Sequence, residues 1–434
     1  MHPSTPAPSP RLLVGPDRPL LDTELDIRLE RFEPRTEVTL HASMREPSGR
    51  RWGSHATFRT DESGCVDLRR QAPVAGSYQT ADPMGLVWSM TPRAGSGPKD
   101  GRILPPATLT LTAESRGETV AGTEVERLRL APEVRRTVIR DRGLVGTLFA
   151  PVDGGPHPGV VLIGGSEGGL HELDAALLAA RGFAVLALAY FGMRGVPPVL
   201  VDLPLEYFGG ALAWLRSRGR VRDGRLGVIG GSRGGEAALL IGAMFPEVGA
   251  VVSTVGSGLI TQGIGMGNGL IDILEQPVAS WTWRGRPLPF LRNEVTPELK
   301  RQVAAGEPVE LRLAFLPGLA DREAVAAATI PVERIQGAVL LVSAGDDRMW
   351  PCAALSGIAA ERLAAAGHRH PFRHLTYPTA GHPVAPPPYG PTTEIISPGP
   401  GVRFATGGTP ERNAAARADA WAQSVAFLTE HLMP

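Results

Sequence analysis

The stretch "RLGVIGGSRGGEAALLIGAMF", residues 225–245, decides the fold. A short apolar run ends at Gly230, an apolar run with helical spacing begins near Glu236, and Gly-Gly-Ser-Arg-Gly-Gly lies between them. A strand that turns into a helix within a few residues leaves no room for Cβ atoms beside the turning residue. Glycine removes them and tolerates positive φ. The residue at the apex is then held in strained backbone and pushed out of the fold. Gly230-Gly231-Ser232-Arg233-Gly234 fits G-x-S-x-G, a nucleophile elbow, in the context that motif requires, a strand before and a helix after. The pentapeptide alone is a weak signal. A glycine-rich turn around a bland serine reads equally well, and partners for the hydroxyl must decide.

The flanking segments alternate between two patterns. "TVIRDRGLVGTLFAP" reads as a strand pair with a short turn and "VVLIGG" as a fully apolar strand. "ELDAALLAARG" is a helix ended by Gly182, "FAVLALAY" a strand, and "PLEYFGGALAWLRSRG" a helix before the elbow. After it come "VGAVVSTVG", "AVLLVSAGDD" and "FRHLTYP" as strands, with "LSGIAAERLAAAGH" and "ERNAAARADAWAQSVAFLTEHL" as helices. Buried strands alternating with amphipathic helices indicate a parallel α/β sheet. Residues 256–330 interrupt it with "GSGLITQGIGMGNGLID" and "SWTWRGRPLPFLR", an insertion expected to cap the C-terminal edge of the sheet. The second domain is expected over 136–434.

Residues 1–135 differ. Short alternating runs (Leu25, Ile27, Leu29; Val38, Leu40, Ala42; Leu109, Leu111; Val125, Leu128, Leu130) are separated by the turns "EPSGRRWG", "DESG" and "RAGSGPKDG". Strands at this spacing predict an antiparallel sandwich, and "MTPRAGSGPKDGRILPP" is a loop by composition.

Composition bounds the function. The 434 residues carry zero formal net charge and are 43% hydrophobic, which suits buried cores. Zero charge removes the electrostatic footprint of a nucleic-acid binder or a surface-bound membrane protein. The two cysteines, Cys65 and Cys352, form neither a C-x-x-C nor a zinc spacing. The start "MHPSTPAPSPRLLVGP" does not read as a signal peptide, and no apolar run reaches the length of a membrane span. A soluble cytoplasmic protein is expected, with no metal and no cofactor.

A serine nucleophile needs a base, and the base an orienting acid. On sheets carrying a serine elbow the acid and then the histidine follow, each on a loop after a strand. "VLLVSAG" is followed by Asp346-Asp347-Arg348-Met349-Trp350-Pro351, and "RHLTYP" by Thr379-Ala380-Gly381-His382. The order Ser232, Asp347, His382 is therefore right. Asp346 competes with Asp347, which is preferred for its acid-x-x-x-Pro spacing to Pro351. His368, His370 and His374 read as surface or strand packing, and Cys352 as packing. His171 follows a glycine-rich loop and could approach the site, but its position in the chain is wrong for the base. For an oxyanion hole, one backbone N–H should be that of Arg233. The second should come from Gly164-Gly165-Ser166-Glu167-Gly168-Gly169, with Ser166 as donor. That loop is not a dinucleotide fingerprint, since its glycine spacing is wrong and "FAVLALAY" ends without the acidic residue for a ribose. Glu236 reads as a carboxylate favoured at a helix N-terminus, and Trp281 and Trp283 as packing.

Together these segments resemble the acyl-CoA thioesterase and bile acid-CoA:amino acid N-acyltransferase family. In the N-terminal part the resemblance rests on the strand-and-turn pattern and "DPMGLVWSMTP". In the C-terminal part it rests on "PGVVLIGGSEGGLHELDAALLAARGFAVLALAYFG", "LPLEYFGGALAWLRS", "LGVIGGSRGGEAALL", "SWTWRGRPLP", "GDDRMWP", "YPTAGHPVAPPPY" and "ADAWAQSVAFLTEHL". It implies an immunoglobulin-like β-sandwich joined to an α/β-hydrolase domain. It also implies a Ser or Cys nucleophile, an Asp and a His, at Ser232, Asp347 and His382. Members that pass acyl groups to amino acids carry Cys at the elbow and thioester hydrolases typically carry Ser, so Ser232 favours hydrolysis of an acyl-CoA. Transfer to an amine or alcohol, and ester or lactone hydrolysis, are the alternative enzymatic readings. A non-catalytic binding module with a degenerate hydrolase is the remaining one. The end "HLMP" lacks the peroxisomal tripeptide of some members.

Overall fold

The computed structural model describes residues 9–46, 49–93, 104–385 and 387–433. The chain forms two units, Met1–Ala131 with Pro388–Glu394, and Pro132–Pro387 with Ile395–Pro434. The sequence reading placed 388–394 in the second domain. The segment packs instead with the first unit, where the fully buried Arg127 donates from Nη1 to the Tyr389 carbonyl (2.8 Å) and Thr392 N donates to the Trp88 carbonyl (3.0 Å). A proline-rich stretch carries no periodicity that would signal such an excursion.

The first unit is antiparallel. A six-stranded sheet runs Ala75–Gly76, Arg51–Arg59, Glu37–Arg45, Ala107–Ser115, Glu118–Arg127, with Thr91–Arg93 also pairing Arg51–Arg59. A three-stranded sheet joins Arg11–Gly15, Asp26–Glu30 and Val66–Asp67. Alternation puts Val38, Leu40, Ala42 and Met44 inward on one strand and Leu109, Leu111 and Ala113 on its neighbour. Two details differ from expectation. The turn assigned to "EPSGRRWG" ends early, because Arg51, Trp52 and Gly53 already pair with Arg45, Met44 and Ser43. Leu128 and Leu130 lie beyond the strand that ends at Arg127. Most of the loop expected over "RAGSGPKDG", residues 94–103, lies outside the described residues.

The second unit is built on eight strands: β1 (Val134–Asp141), β2 (Leu144–Pro151), β3 (Gly159–Ile163), β4 (Ala184–Ala189), β5 (Leu226–Gly231), β6 (Val248–Thr254), β7 (Ala338–Ala344) and β8 (Phe372–Tyr377). Their order is β1-β2-β4-β3-β5-β6-β7-β8, with β2 antiparallel to β1 and β4 and the rest parallel. This is the sheet of an α/β-hydrolase. Every residue of β3, β4 and β7 is buried, as expected of strands covered on both faces. Full burial of each Val, Leu or Ile there stabilises by about 1.5–3 kcal/mol. The helices are α1 (Glu172–Ala179), α2 (Glu206–Arg216), α3 (Arg233–Met244), α4 (Cys352–Ala365) and α5 (Pro410–Leu432). α5 starts where the Thr409 hydroxyl accepts from Arg412 N and Pro410 occupies the first turn.

Residues 256–330 carry short helices at Leu270–Leu274, Pro297–Ala304, Leu316–Ala320 and Arg322–Ala328, and a hairpin of Trp281–Trp283 with Arg286–Pro287. This segment reaches the end of β5 through a buried ion pair described below.

Candidate active site

The β5–α3 turn places Ser232 at φ 56° and ψ −122°, a conformation rare for a residue with a Cβ. The turn is fixed by main chain. Ser232 N donates to the Thr254 carbonyl on β6 (2.8 Å), and the Ser232 carbonyl accepts from Gly235 N (2.9 Å) and Glu236 N (3.2 Å). A Cβ on Gly230 would collide with the Gly234 carbonyl, and one on Gly234 would lie 2.5 Å from the Ile163 and Gly164 carbonyls. The two glycines of the motif are thus answered by backbone.

The loops after β7 and β8 meet this turn. His382 Nδ1 lies 2.7 Å from Asp347 Oδ2, and His382 Nε2 lies 3.0 Å from Ser232 Oγ. With Nδ1–H donating to the carboxylate, Nε2 is left to accept the Ser232 hydroxyl. Asp347 is 2% exposed, and its other oxygen accepts from Met349 N (2.8 Å) and Trp350 N (3.3 Å), which fixes its rotamer. The imidazole packs edge-on to Trp350, whose indole N–H donates to the Val255 carbonyl (2.9 Å). Burial pulls the His382 pKa down, but the charge and hydrogen bond of Asp347 outweigh it, with Glu167 adding, and hold it above the ordinary 6.5.

The competing residues are occupied elsewhere. Asp346 accepts from Gly408 N (2.9 Å) and pairs with Arg348. His374 bonds Ser343 Oγ (2.8 Å), and His368 Nε2–H donates to the Gly337 carbonyl (3.1 Å). Cys352 is fully buried with its thiol against the Ala344 carbonyl (3.3 Å), and burial pushes the thiol pKa well up, so it is no nucleophile.

Arg233 is the first residue of α3, where a backbone N–H has no partner within the helix. Ser166 is exposed on the loop after β3. Both line one cavity of about 350 Å³ with Ser232, His382, Leu270, Ile273, Leu274 and Phe315. A second cavity, about 330 Å³, also opens on Ser232 and His382 and runs past Glu167, His171, Val384 and Trp421.

The arrangement holds two features that sequence reasoning missed. Glu236 does lie in the first turn of α3, as expected, but its role there goes beyond the helix dipole. It is fully buried and accepts from Arg233 Nη1 (3.0 Å), Trp281 Nε1 (2.8 Å) and Thr261 Oγ1 (2.6 Å), while Arg233 Nη2 donates to the Gln262 carbonyl (2.9 Å). Removing one partner of such a pair leaves a buried charge and costs about 3–5 kcal/mol. The Arg233–Glu236 spacing of three residues was the available signal. The second feature is a cluster of Glu167, His171 and Asp174 beside the cavity.

Family models bear on the chain as a whole. One for the BAAT/acyl-CoA thioester hydrolase C-terminal region matches residues 203–434, and one for the acyl-CoA thioester hydrolase/BAAT N-terminal region matches 22–141. The chain belongs to the acyl-CoA thioester hydrolase/BAAT family. It is 32% identical to human mitochondrial acyl-coenzyme A thioesterase 2, over 95% of this chain and 82% of that one. It is 31% identical to human acyl-coenzyme A thioesterase 1, over 95% and 94%. It is 29% identical to the mouse peroxisomal succinyl-coenzyme A thioesterase, also over 95% and 94%. A solved putative dienelactone hydrolase from Klebsiella pneumoniae superposes with a TM-score of 0.40 at 15% identity, over 68% of this chain and 98% of that one, too distant to bear on the site. These names span several compartments, so the expectation of a cytoplasmic protein does not follow from the family. Among the described residues no helix is long and apolar enough to cross a membrane.

Proposed function

We propose that this family member hydrolyses acyl-CoA thioesters through Ser232, His382 and Asp347. The observation that carries the reading is the unbroken hydrogen-bonded line from Ser232 Oγ through His382 to Asp347, on an elbow that exposes the hydroxyl to two cavities. The Ser232 hydroxyl attacks the thioester carbonyl carbon while His382 Nε2 takes its proton. Asp347 holds the imidazole tautomer and stabilises the imidazolium. The tetrahedral oxyanion is received by the N–H groups of Arg233 and Ser166, each worth about 3 kcal/mol of barrier. Collapse breaks the C–S bond and releases CoA thiolate, a leaving group that needs little protonation. The departing thiolate takes up the proton held on His382 Nε2 and leaves as the CoA thiol, so His382 is neutral again and can deprotonate the water that attacks the acyl-serine. The second tetrahedral species expels Ser232, which recovers its proton, and the carboxylic acid leaves. The first domain is read as an immunoglobulin-like sandwich, with the boundary near residue 135.

The apolar walls of Leu270, Ile273, Leu274 and Phe315 suit an acyl chain, and the other cavity leaves a path for the pantetheine arm. Purified Ser232→Ala is expected to lose at least about 10,000-fold in kcat, followed as thiol release over acyl-CoAs from acetyl to palmitoyl. It should also lose labelling by a fluorophosphonate. Undiminished turnover in Ser232→Ala refutes the assignment.

A further inference from the structure

The loop after β3 is built around charged side chains that the proposed chemistry leaves unused. His171 Nε2 lies 2.6 Å from Glu167 Oε1, and Nδ1 lies 3.6 Å from Asp174 Oδ2. Glu167 Oε1 in turn accepts from Gly165 N (3.1 Å), so the carboxylate folds back over the backbone of its own loop. The glycines make this possible. A Cβ on Gly164 would sit 2.5 Å from the His171 ring, and one on Gly165 2.7 Å from Glu167 Oε2. From the other side the Tyr190 hydroxyl donates to the Gly164 carbonyl (3.0 Å). Ser166 is therefore carried between a residue whose N–H is captured by Glu167 and Glu167 itself.

The charges continue away from the loop. Asp174 offsets part of the desolvation of Arg417, a buried residue of α5 that donates from Nε to the Pro383 carbonyl (2.8 Å), next to His382. Glu167 lines both cavities that open on Ser232, and its charge acts on His382. An unpaired carboxylate lining both cavities opposes a negative charge forming on the acyl oxygen. The partner it has is a histidine. Burial lowers the His171 pKa, but hydrogen bonds and charges from Asp174 and Glu167 outweigh that and raise it to about 10. Glu167, more than half exposed, is held low: its partial desolvation, which would raise it, is outweighed by His171 and by the Gly165 N–H. At neutral pH the two form an ion pair.

We propose that Glu167 and His171 are positioning residues for the thioester chemistry: their ion pair braces residues 164–169 so that the Ser166 N–H faces Ser232, and it neutralises the carboxylate beside the nascent oxyanion. This rests on the serine-dependent reading above. It assigns different effects to variants that resemble one another. Glu167→Ala removes the brace and should lower kcat about 10- to 100-fold with KM within about twofold, since the oxyanion contact exists only in the transition state. Glu167→Gln keeps an acceptor for Gly165 N–H and should restore kcat to within about threefold of the parent. His171→Gln bares the Glu167 charge and should cost about tenfold in kcat, and adding Glu167→Gln to it should recover most of that loss, a non-additivity that lost stability alone does not produce.

The test is steady-state kcat and KM on one acyl-CoA for all four variants and Ser232→Ala, with thermal melts. Wild-type kcat in Glu167→Ala overturns the brace. Should Glu167→Ala not fold, equal kcat for His171→Gln and the double variant overturns the proposal by itself. Turnover retained by Ser232→Ala sinks the serine reading and this role with it. An inactive Ser232→Ala beside an unaffected Glu167→Ala sinks this role alone.

Discussion

Two glycine-rich loops meet at this site and use their glycines for opposite reasons. In the elbow the two glycines of the motif make room for backbone: Gly230 faces the Gly234 carbonyl and Gly234 the carbonyls of Ile163 and Gly164, while Gly235 meets both the Ser253 hydroxyl at 2.8 Å and the Gly256 Cα at 2.9 Å, and Gly231 the Ala385 Cβ at 2.9 Å. In 164–165 they make room for the ends of side chains, the His171 imidazole and the Glu167 carboxylate. The elbow is thus defined by main-chain geometry that cannot adjust. The facing loop is defined by a charge pair that can turn about its χ angles. The hydroxyl sits on a turn fixed by main chain, whereas the loop proposed to carry the second oxyanion donor relies on the charge pair as well as on hydrogen bonds from Gly169 N to the Phe191 carbonyl and from the Tyr190 hydroxyl to the Gly164 carbonyl.

The largest expected effect tests the rigid side. Asp347→Asn leaves the shape of the loop and removes the charge that holds His382. We expect kcat to fall about 10,000-fold, while Asp346→Asn stays within a few-fold because Asp346 caps Gly408. The pH profile carries the sign. His382 must be neutral to accept the Ser232 proton, and its pKa lies above 6.5 chiefly because Asp347 outweighs burial. The wild-type kcat/KM should therefore rise with pH through a midpoint above 6.5, and Asp347→Asn should move that midpoint down. A profile that is flat from pH 5 to 9, or unmoved by the substitution, breaks the assignment of His382 as base.

Gly234→Ala comes next. Its Cβ meets two carbonyl oxygens that belong to β3 and the loop after it, and neither is the free end of a side chain. Overpacking of this kind costs about 3 kcal/mol, read as a shift of the urea midpoint at constant m-value. Activity should fall with it, since the displaced backbone is that of the oxyanion loop. Unchanged stability would mean that the elbow can relax after all, and the contrast between the loops would lose its basis.

The same contrast explains what the sequence discloses. G-x-S-x-G is legible because its spacing is dictated by backbone collisions. The α/β alternation is legible because β3, β4 and β7, buried on both faces, are apolar runs broken only by Ser343, whose hydroxyl is bonded to His374. The loops bearing Asp347 and His382 are found as strand ends, which local pattern marks, although Ser232 and His382 stand 150 residues apart. The pairing of Glu236 with Trp281 is set by an insertion whose path no periodicity reports. The burial of Arg127 against Tyr389 depends on a return of the chain 262 residues later. His171 and Glu167 are four residues apart, yet they straddle the end of a loop and the cap of α1, where no helical spacing signals a contact.

The smallest effect is the sharpest probe of the comparison. Gly164→Ala places a Cβ against His171 Cδ2 (2.5 Å) and Nε2 (2.6 Å), and the third nearest atom, His171 Cγ at 3.5 Å, belongs to the same ring. The ring can swing aside, so the fold should persist, with the urea midpoint nearly unchanged and a stability loss of about 1 kcal/mol or less. Swinging it aside breaks the contact of Nε2 with Glu167, and kcat should drop about tenfold at constant KM, as for His171→Gln. Adding Glu167→Gln to Gly164→Ala should then recover part of the loss, because the carboxylate freed from its partner is what raises the barrier. If Gly164→Ala instead lowers the urea midpoint as far as Gly234→Ala is expected to, the two loops obey one rule, and the flexible partner assigned to the second is a backbone constraint under another name.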